Sequence, residues 1–89
     1  MAAVGRVTVD VMELPVGDGV DFQGQHELEL VYVLDGAVTV RRDPYTVRRF
    51  EAGDAFEMRR GTTHHAKASG ASAKLLVVDL KAERDVSLR

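Results

Sequence analysis

Glu29 is the one carboxylate in the run Glu29-Leu30-Val31-Tyr32-Val33-Leu34, which stops at Asp35-Gly36. A β-strand sends successive side chains to opposite faces, so Glu29, Val31 and Val33 share one face while Leu30, Tyr32 and Leu34 share the other. Both faces are apolar apart from Glu29. A carboxylate on a strand buried from both sides must be paired, protonated or set beside a metal, because an isolated buried charge is strongly disfavoured. The histidines fall at positions 26, 64 and 65. In a strand over residues 62–68, Thr62, His64, Ala66 and Ala68 share one face and Thr63, His65 and Lys67 the other. His64-His65 therefore reads as one pocket residue and one surface residue.

Three basic doublets, Arg41-Arg42, Arg48-Arg49 and Arg59-Arg60, place one side chain on each face of a regular strand. They read as solvated strand ends; the alternative is an inward Arg59 at a barrel mouth, clamping the carboxylate or phosphate of a ligand. The absence of cysteine excludes disulfides and thiolate metal sites. No serine stands beside a histidine in a strand-to-helix turn, so covalent acyl chemistry has no support. Tyr32 and Tyr45 read as core or interface residues rather than catalytic phenols.

The elements that must position these groups are short. Eighty-nine residues, 45% hydrophobic and 29% charged, suit one soluble domain with a small core. A formal net charge of −2 gives no electrostatic case for nucleic acid or an anionic membrane. No run approaches the roughly 18 apolar residues of a membrane span, and MAAVGRVTVD lacks a basic segment followed by an apolar one. The expectation is a cytoplasmic protein with no direct nucleic-acid or membrane partner.

Val7, Val9 and Val11 alternate with Arg6, Thr8 and Asp10, which predicts a half-buried first strand ending at Leu14-Pro15. Residues 16–21 are loop chemistry, and 22–28 form a polar approach to the central run. Asp35-Gly36 predicts a tight hairpin needing positive φ at both positions. The return strand, 37–42, sets Val38 and Val40 on one face, and Asp43-Pro44 turns into a strand over 45–50 with Tyr45, Val47 and Phe50 inside. Further strands are predicted over 55–58, 62–68 and 73–80, separated by turns at 51–54, 59–61 and 69–72. Short strands without a helical period predict an all-β fold, a small antiparallel β-barrel or double-sheet jelly roll, over residues 1–80 with a polar tail at 81–89. Such a barrel holds one ligand or fills itself with side chains.

The turn spacing resembles the cupin family. Its first motif is a glycine, five residues, His-x-His, three or four residues, Glu, six residues and Gly; its second is Gly, five residues, Pro-x-Gly, two residues and His. Glu29, six residues and Gly36 are similar to the end of the first motif, and Gly53, Gly61 and His64 match the spacing of the second. The His-x-His positions are Gln23 and Gln25 in one register, with Gly24 taking the second place in the other. Arg59 replaces the motif's proline, and Ala68 stands where the family has an asparagine.

The resemblance implies a divalent-metal site for iron, manganese, nickel or zinc, since imidazoles and a carboxylate suit such ions and leave positions open. Glu29 and His64 carry over directly. Gln25 would add an amide oxygen, and a bulge near Gly24 would turn His26 inward, making His26, Glu29 and His64 a two-histidine, one-carboxylate set. The other reading pairs Glu29 with His64 by hydrogen bonding, with Gln23 and Gln25 as neutral donors. Three functions follow: a small-molecule-binding module with a weak or non-standard metal site, a metal-dependent oxygenase or isomerase acting on a small polar substrate, or a non-catalytic regulatory or assembly module. With Glu29, Val31 and Val33 inside, Leu30, Tyr32 and Leu34 point outward, and a two-fold homodimer would cover them. The resemblance points the same way.

Overall fold

The computed structural model describes residues 4–23, 28–59 and 61–83. Eight strands follow one another: β1 (Val4–Leu14), β2 (Gly19–Gln23), β3 (Leu28–Asp35), β4 (Ala37–Asp43), β5 (Thr46–Glu51), β6 (Ala55–Arg59), β7 (Thr63–Ala68) and β8 (Ala73–Glu83). They form two four-stranded sheets, β1-β8-β3-β6 and β2-β7-β4-β5, with every pairing antiparallel. The sheets face each other without closing, so the fold is a double-sheet jelly roll. β8 runs three residues past the predicted tail boundary at 80. Among the described residues no helix is long and apolar enough to cross a membrane.

β4 and β5 are the one consecutive pair that hydrogen-bonds as a hairpin; the other links between described neighbours carry the chain from one sheet to the other. Asp35-Gly36 is such a crossing, not the predicted hairpin. β3 pairs with β6 and β8, and β4 with β5 and β7. Of the two turn residues Gly36 alone has positive φ, +78°, and a Cβ there would run into the Ser72 carbonyl oxygen. The glycine thus serves a close backbone approach as well as a turn.

The core lies between the sheets, where Val31, Val33, Val38 and Leu75 are fully buried and Met58 nearly so. Leu14, Phe22, Val40, Phe50, Ala66, Ala68 and Ala73 complete it, with Met12, Val20, Phe56 and Val77 packed at its margin. Glu29 and His64 are the buried polar residues among those described. Two inward assignments made from periodicity are reversed. Val7, Val9 and Val11 are 56–60% exposed, because β1 is an edge strand that turns Met12 and Leu14 to the core and its valines to the outer face. Tyr45 is 95% exposed and Val47 54%, because Tyr45 sits in the hairpin turn and Phe50 sets the parity of β5.

The outer valines are not isolated. Val7, Leu80 and Leu28 lie in register across β1, β8 and β3, as do Val9, Val78 and Leu30, and Val11, Leu76 and Tyr32. Cross-strand neighbours share a face. The outside of the first sheet is therefore ranked with apolar side chains across three strands.

Candidate functional site

The β4–β5 hairpin builds the candidate site. Val38 pairs with Phe50 and Val40 with Arg48, so all four share the inner face. Arg42 follows Val40 by two positions and continues that face toward the hairpin end. The register then slips: Arg41 opposes Val47, but Asp43 opposes Thr46, leaving an extra residue in β4. Such a bulge bends the strand and re-aims its side chains. The turn is fastened by Asp43, whose Oδ1 accepts hydrogen bonds from the backbone N–H groups of Tyr45 and Thr46, both at 2.8 Å. The Tyr45 bond is the main reason that the Asp43 carboxyl lies below its ordinary value, with Thr46 and the Arg42 charge acting in the same direction.

β7 adds His64, opposite Phe22 on β2 and only 8% exposed. Its ring stacks on Phe56 at 6.2 Å between centroids and 26° between planes, and Phe56 packs on Phe50 at 4.9 Å. Burial pushes the imidazole below its usual pKa, and the Arg42 guanidinium pushes it further the same way. His64 is accordingly a neutral ring at pH 7, with one nitrogen a donor and the other an acceptor. Its Nδ1 is buried without a hydrogen-bond partner, an arrangement that costs about 1–3 kcal/mol.

These groups surround a cavity of about 390 Å³. Phe50 and Phe56 give it an aromatic wall, Val40 and His64 its inner end, and Arg42, Thr46 and Arg48 a polar mouth, with Ala55 and Glu57 of β6 at its edge. Arg48 holds its Cζ 5.2 Å from the centroid of Phe50, a cation–π distance. An aromatic surface with a few convergent polar groups is the ordinary makeup of a small-molecule site.

Of the residues singled out from sequence, His64 lines this cavity and Glu29 does not. Glu29 is buried on the inner face of β3, opposite Met58 on β6 and Asp79 on β8. It does not satisfy His64 Nδ1. Gln25 and His26 lie outside the described residues, as does the side chain of Gln23, whose backbone ends β2 opposite Thr63. Arg59 lies outside the cavity lining, exposed and paired with Glu57 at 3.3 Å. His65 faces away from His64 and meets Asp21 at 2.6 Å.

Among the described residues no three His, Cys, Asp or Glu side chains gather in a way that would hold a metal. The family-type donor set is thus not assembled from Glu29 and His64 with a third described ligand. The residues missed from sequence are Arg42, Arg48, Phe50 and Phe56. Parity was the available signal for the two arginines, since each stands two positions from an inward residue, Val40 or Phe50.

The cupin domain model matches residues 5–79. No curated protein sequence matches the chain. Among solved structures, a cupin superfamily protein from Desulfitobacterium hafniense aligns with a TM-score of 0.74 at 16% identity, covering 90% of this chain and 78% of its own. A conserved protein with a double-stranded β-helix domain from Klebsiella pneumoniae aligns at 0.73 and 18% identity, covering 94% and 80%. FeII HppE in complex with substrate aligns at 0.72 and 19% identity, with 82% of this chain covering 45% of that one. At these identities the likeness establishes the fold.

Proposed function

The chain belongs to the cupin domain family, and from that premise we propose that it binds a small organic molecule in the cavity between the β4–β5 hairpin, Phe56 and His64. The observation that carries this reading is His64: a neutral imidazole stacked on Phe56 in the wall of a cavity of about 390 Å³. A ligand in that cavity would lie against the Phe50 and Phe56 rings and meet the part of the His64 ring that the cavity exposes. The test is a fragment titration followed by NMR. Shifts concentrated on Phe50, Phe56 and His64 support the site, and shifts confined to other surfaces refute it.

A metal-dependent oxygenase or isomerase is the second reading, favoured by Glu29 and His64 buried at the family's ligand positions. Two donors alone hold a transition metal weakly, whereas catalytic sites ordinarily supply three protein ligands. Elemental analysis after titration with iron, manganese, nickel and zinc discriminates. Stoichiometric metal lost in both Glu29→Gln and His64→Ala would favour the enzyme.

We also propose that the apolar ranks on the outside of β1, β8 and β3 pair with a second copy of the chain. Val7, Val9, Val11, Leu30 and Tyr32 are exposed there in a continuous patch. A two-fold axis through the patch would set it against itself and remove both copies from water together. Light scattering that returns only monomer across a micromolar concentration range would refute this pairing.

A further inference from the structure

The cavity mouth carries two cations of one chemistry, and the one acidic residue of the lining turns its side chain to the outer face of the first sheet. Arg42 and Arg48 belong to neighbouring strands and line the same opening. Neither forms an ion pair with a carboxylate among the described residues. Glu57 is that residue: it stands opposite Leu30 in register, so its side chain goes to the outer face, where the Arg59 guanidinium meets it at 3.3 Å. Arg48 is braced over the Phe50 ring, and Arg42 is close enough for its charge to reach His64. The two guanidiniums are thus not offset by a carboxylate from the lining, and the remaining polar lining groups, Thr46 and the neutral His64, add no charge.

We propose that the cavity takes a small organic oxyanion, with its carboxylate or phosphate head between Arg42 and Arg48 and an unsaturated or apolar body against Phe50 and Phe56. Guanidinium forks match the planar geometry of a carboxylate and the oxygens of a phosphate, and both present two acceptors to paired N–H donors. The body would lie on the aromatic faces and reach the His64 ring at the inner end of the cavity. The cavity volume is at the small end for ligand sites, which limits the body to about one ring or a short chain. The inference rests on the cavity being a ligand site and adds to it the sign of the ligand and the residues that read that sign.

The test uses four probes of similar size on the full chain: benzoate, phenyl phosphate, benzyl alcohol and benzylamine. Binding is followed by NMR shifts at Phe50, Phe56 and His64. Benzoate or phenyl phosphate is expected to bind about tenfold more tightly than benzyl alcohol, with benzylamine weakest. The ratio of the two anions identifies the preferred head. Arg42→Gln and Arg48→Gln are each expected to lower anion affinity about tenfold, well beyond any change for benzyl alcohol, whereas Glu57→Gln, on the outer face, is expected to change it less than about twofold. Should Arg48→Gln fail to fold, Arg48→Lys keeps the charge and the stem but loses the fork. Equal affinity for benzoate and benzyl alcohol, or anion binding indifferent to both arginine substitutions, overturns the oxyanion assignment and leaves cavity binding standing. Absence of any probe, whatever its charge, from the cavity overturns both.

Discussion

The two sheets share one core but present opposite chemistry on both of their faces. The first, β1-β8-β3-β6, turns the carboxylates Glu29 and Asp79 inward as a cross-strand pair and lays ranks of Val, Leu and Tyr side chains outward. The second, β2-β7-β4-β5, turns His64 and the arginines at 42 and 48 toward the cavity and shows solvent a mostly polar outer face, with Asp21, His65, Lys67, Thr39, Arg41 and Arg49 among its residues. The difference separates two kinds of recognition. An apolar outer face suits another protein surface, whereas a cationic mouth over aromatic rings suits a small polar molecule. Each sheet supplies half of the core, and each has one surface left for a separate task.

The largest test of that division sets inner against outer positions. Leu75→Ala on the first sheet empties a fully buried site and is expected to cost about 2–5 kcal/mol in urea unfolding. Val38→Ala on the second should cost about 1–3 kcal/mol, the sheets sharing one core. Val9→Ala, 56% exposed, should change monomer stability by less than about 0.5 kcal/mol. A comparable loss at Val9 under dissociating conditions would mean that the outer ranks are part of the folding core. Next in size is association. Tyr32→Lys places a charge in the outer rank of Val11 and Leu76 and is expected to weaken self-association by about tenfold or more by light scattering. His65→Ala on the other sheet should leave association unchanged.

A smaller effect belongs to the polar outer face. Asp21 and His65 oppose each other across β2 and β7 at 2.6 Å, and both are substantially exposed. A double-mutant cycle on this pair is expected to return a coupling of about 0.2–1 kcal/mol. Gly19 leaves the histidine its place, since a Cβ at that position would sit 2.8 Å from His65 Nε2. Coupling well above that range would make the second sheet's outer face a structural surface rather than a solvated one.

What the sequence discloses of this division follows from what a period of two can say. Parity correctly groups Glu29 with Val31 and Val33, and His64 with Ala66 and Ala68, because alternation is a local backbone property. Parity alone does not say which group faces the core. Val7, Val9 and Val11 were expected inside by hydrophobicity, yet Met12 and Leu14 on the opposite face reach the core, because the valines continue an outer apolar surface that exists only once β8 and β3 are alongside. Asp35-Gly36 announces a turn but not its partners, and the chain there leaves one sheet for the other. Arg42 and Arg48 read as solvated doublet members because a cavity needs the second sheet, Phe56 and a bulge in β4 before their direction matters. Glu29 and His64 are legible as residues; the surroundings that decide their chemistry are not.

The finest test concerns the hairpin tip that spaces the two arginines. Asp43 accepts two backbone hydrogen bonds as a carboxylate, and these favour its charged form, so its NMR titration midpoint is expected below 3.8. A depressed carboxyl pKa contributes stability that is fully present above the unfolded value of 3.8 and is lost as pH falls through the folded value. The tip should therefore keep one geometry throughout the neutral range and loosen only in acid. Asp43→Asn keeps an acceptor oxygen while removing the charge, so it should preserve the turn and abolish the acid-dependent change in the amide signals of Tyr45 and Thr46. A midpoint at or above 3.8 would mean that the turn bonds do not hold in solution. The spacing of Arg42 and Arg48 would then rest on the β4–β5 ladder, with its pairings of Val40 to Arg48 and Asp43 to Thr46, and not on the carboxylate.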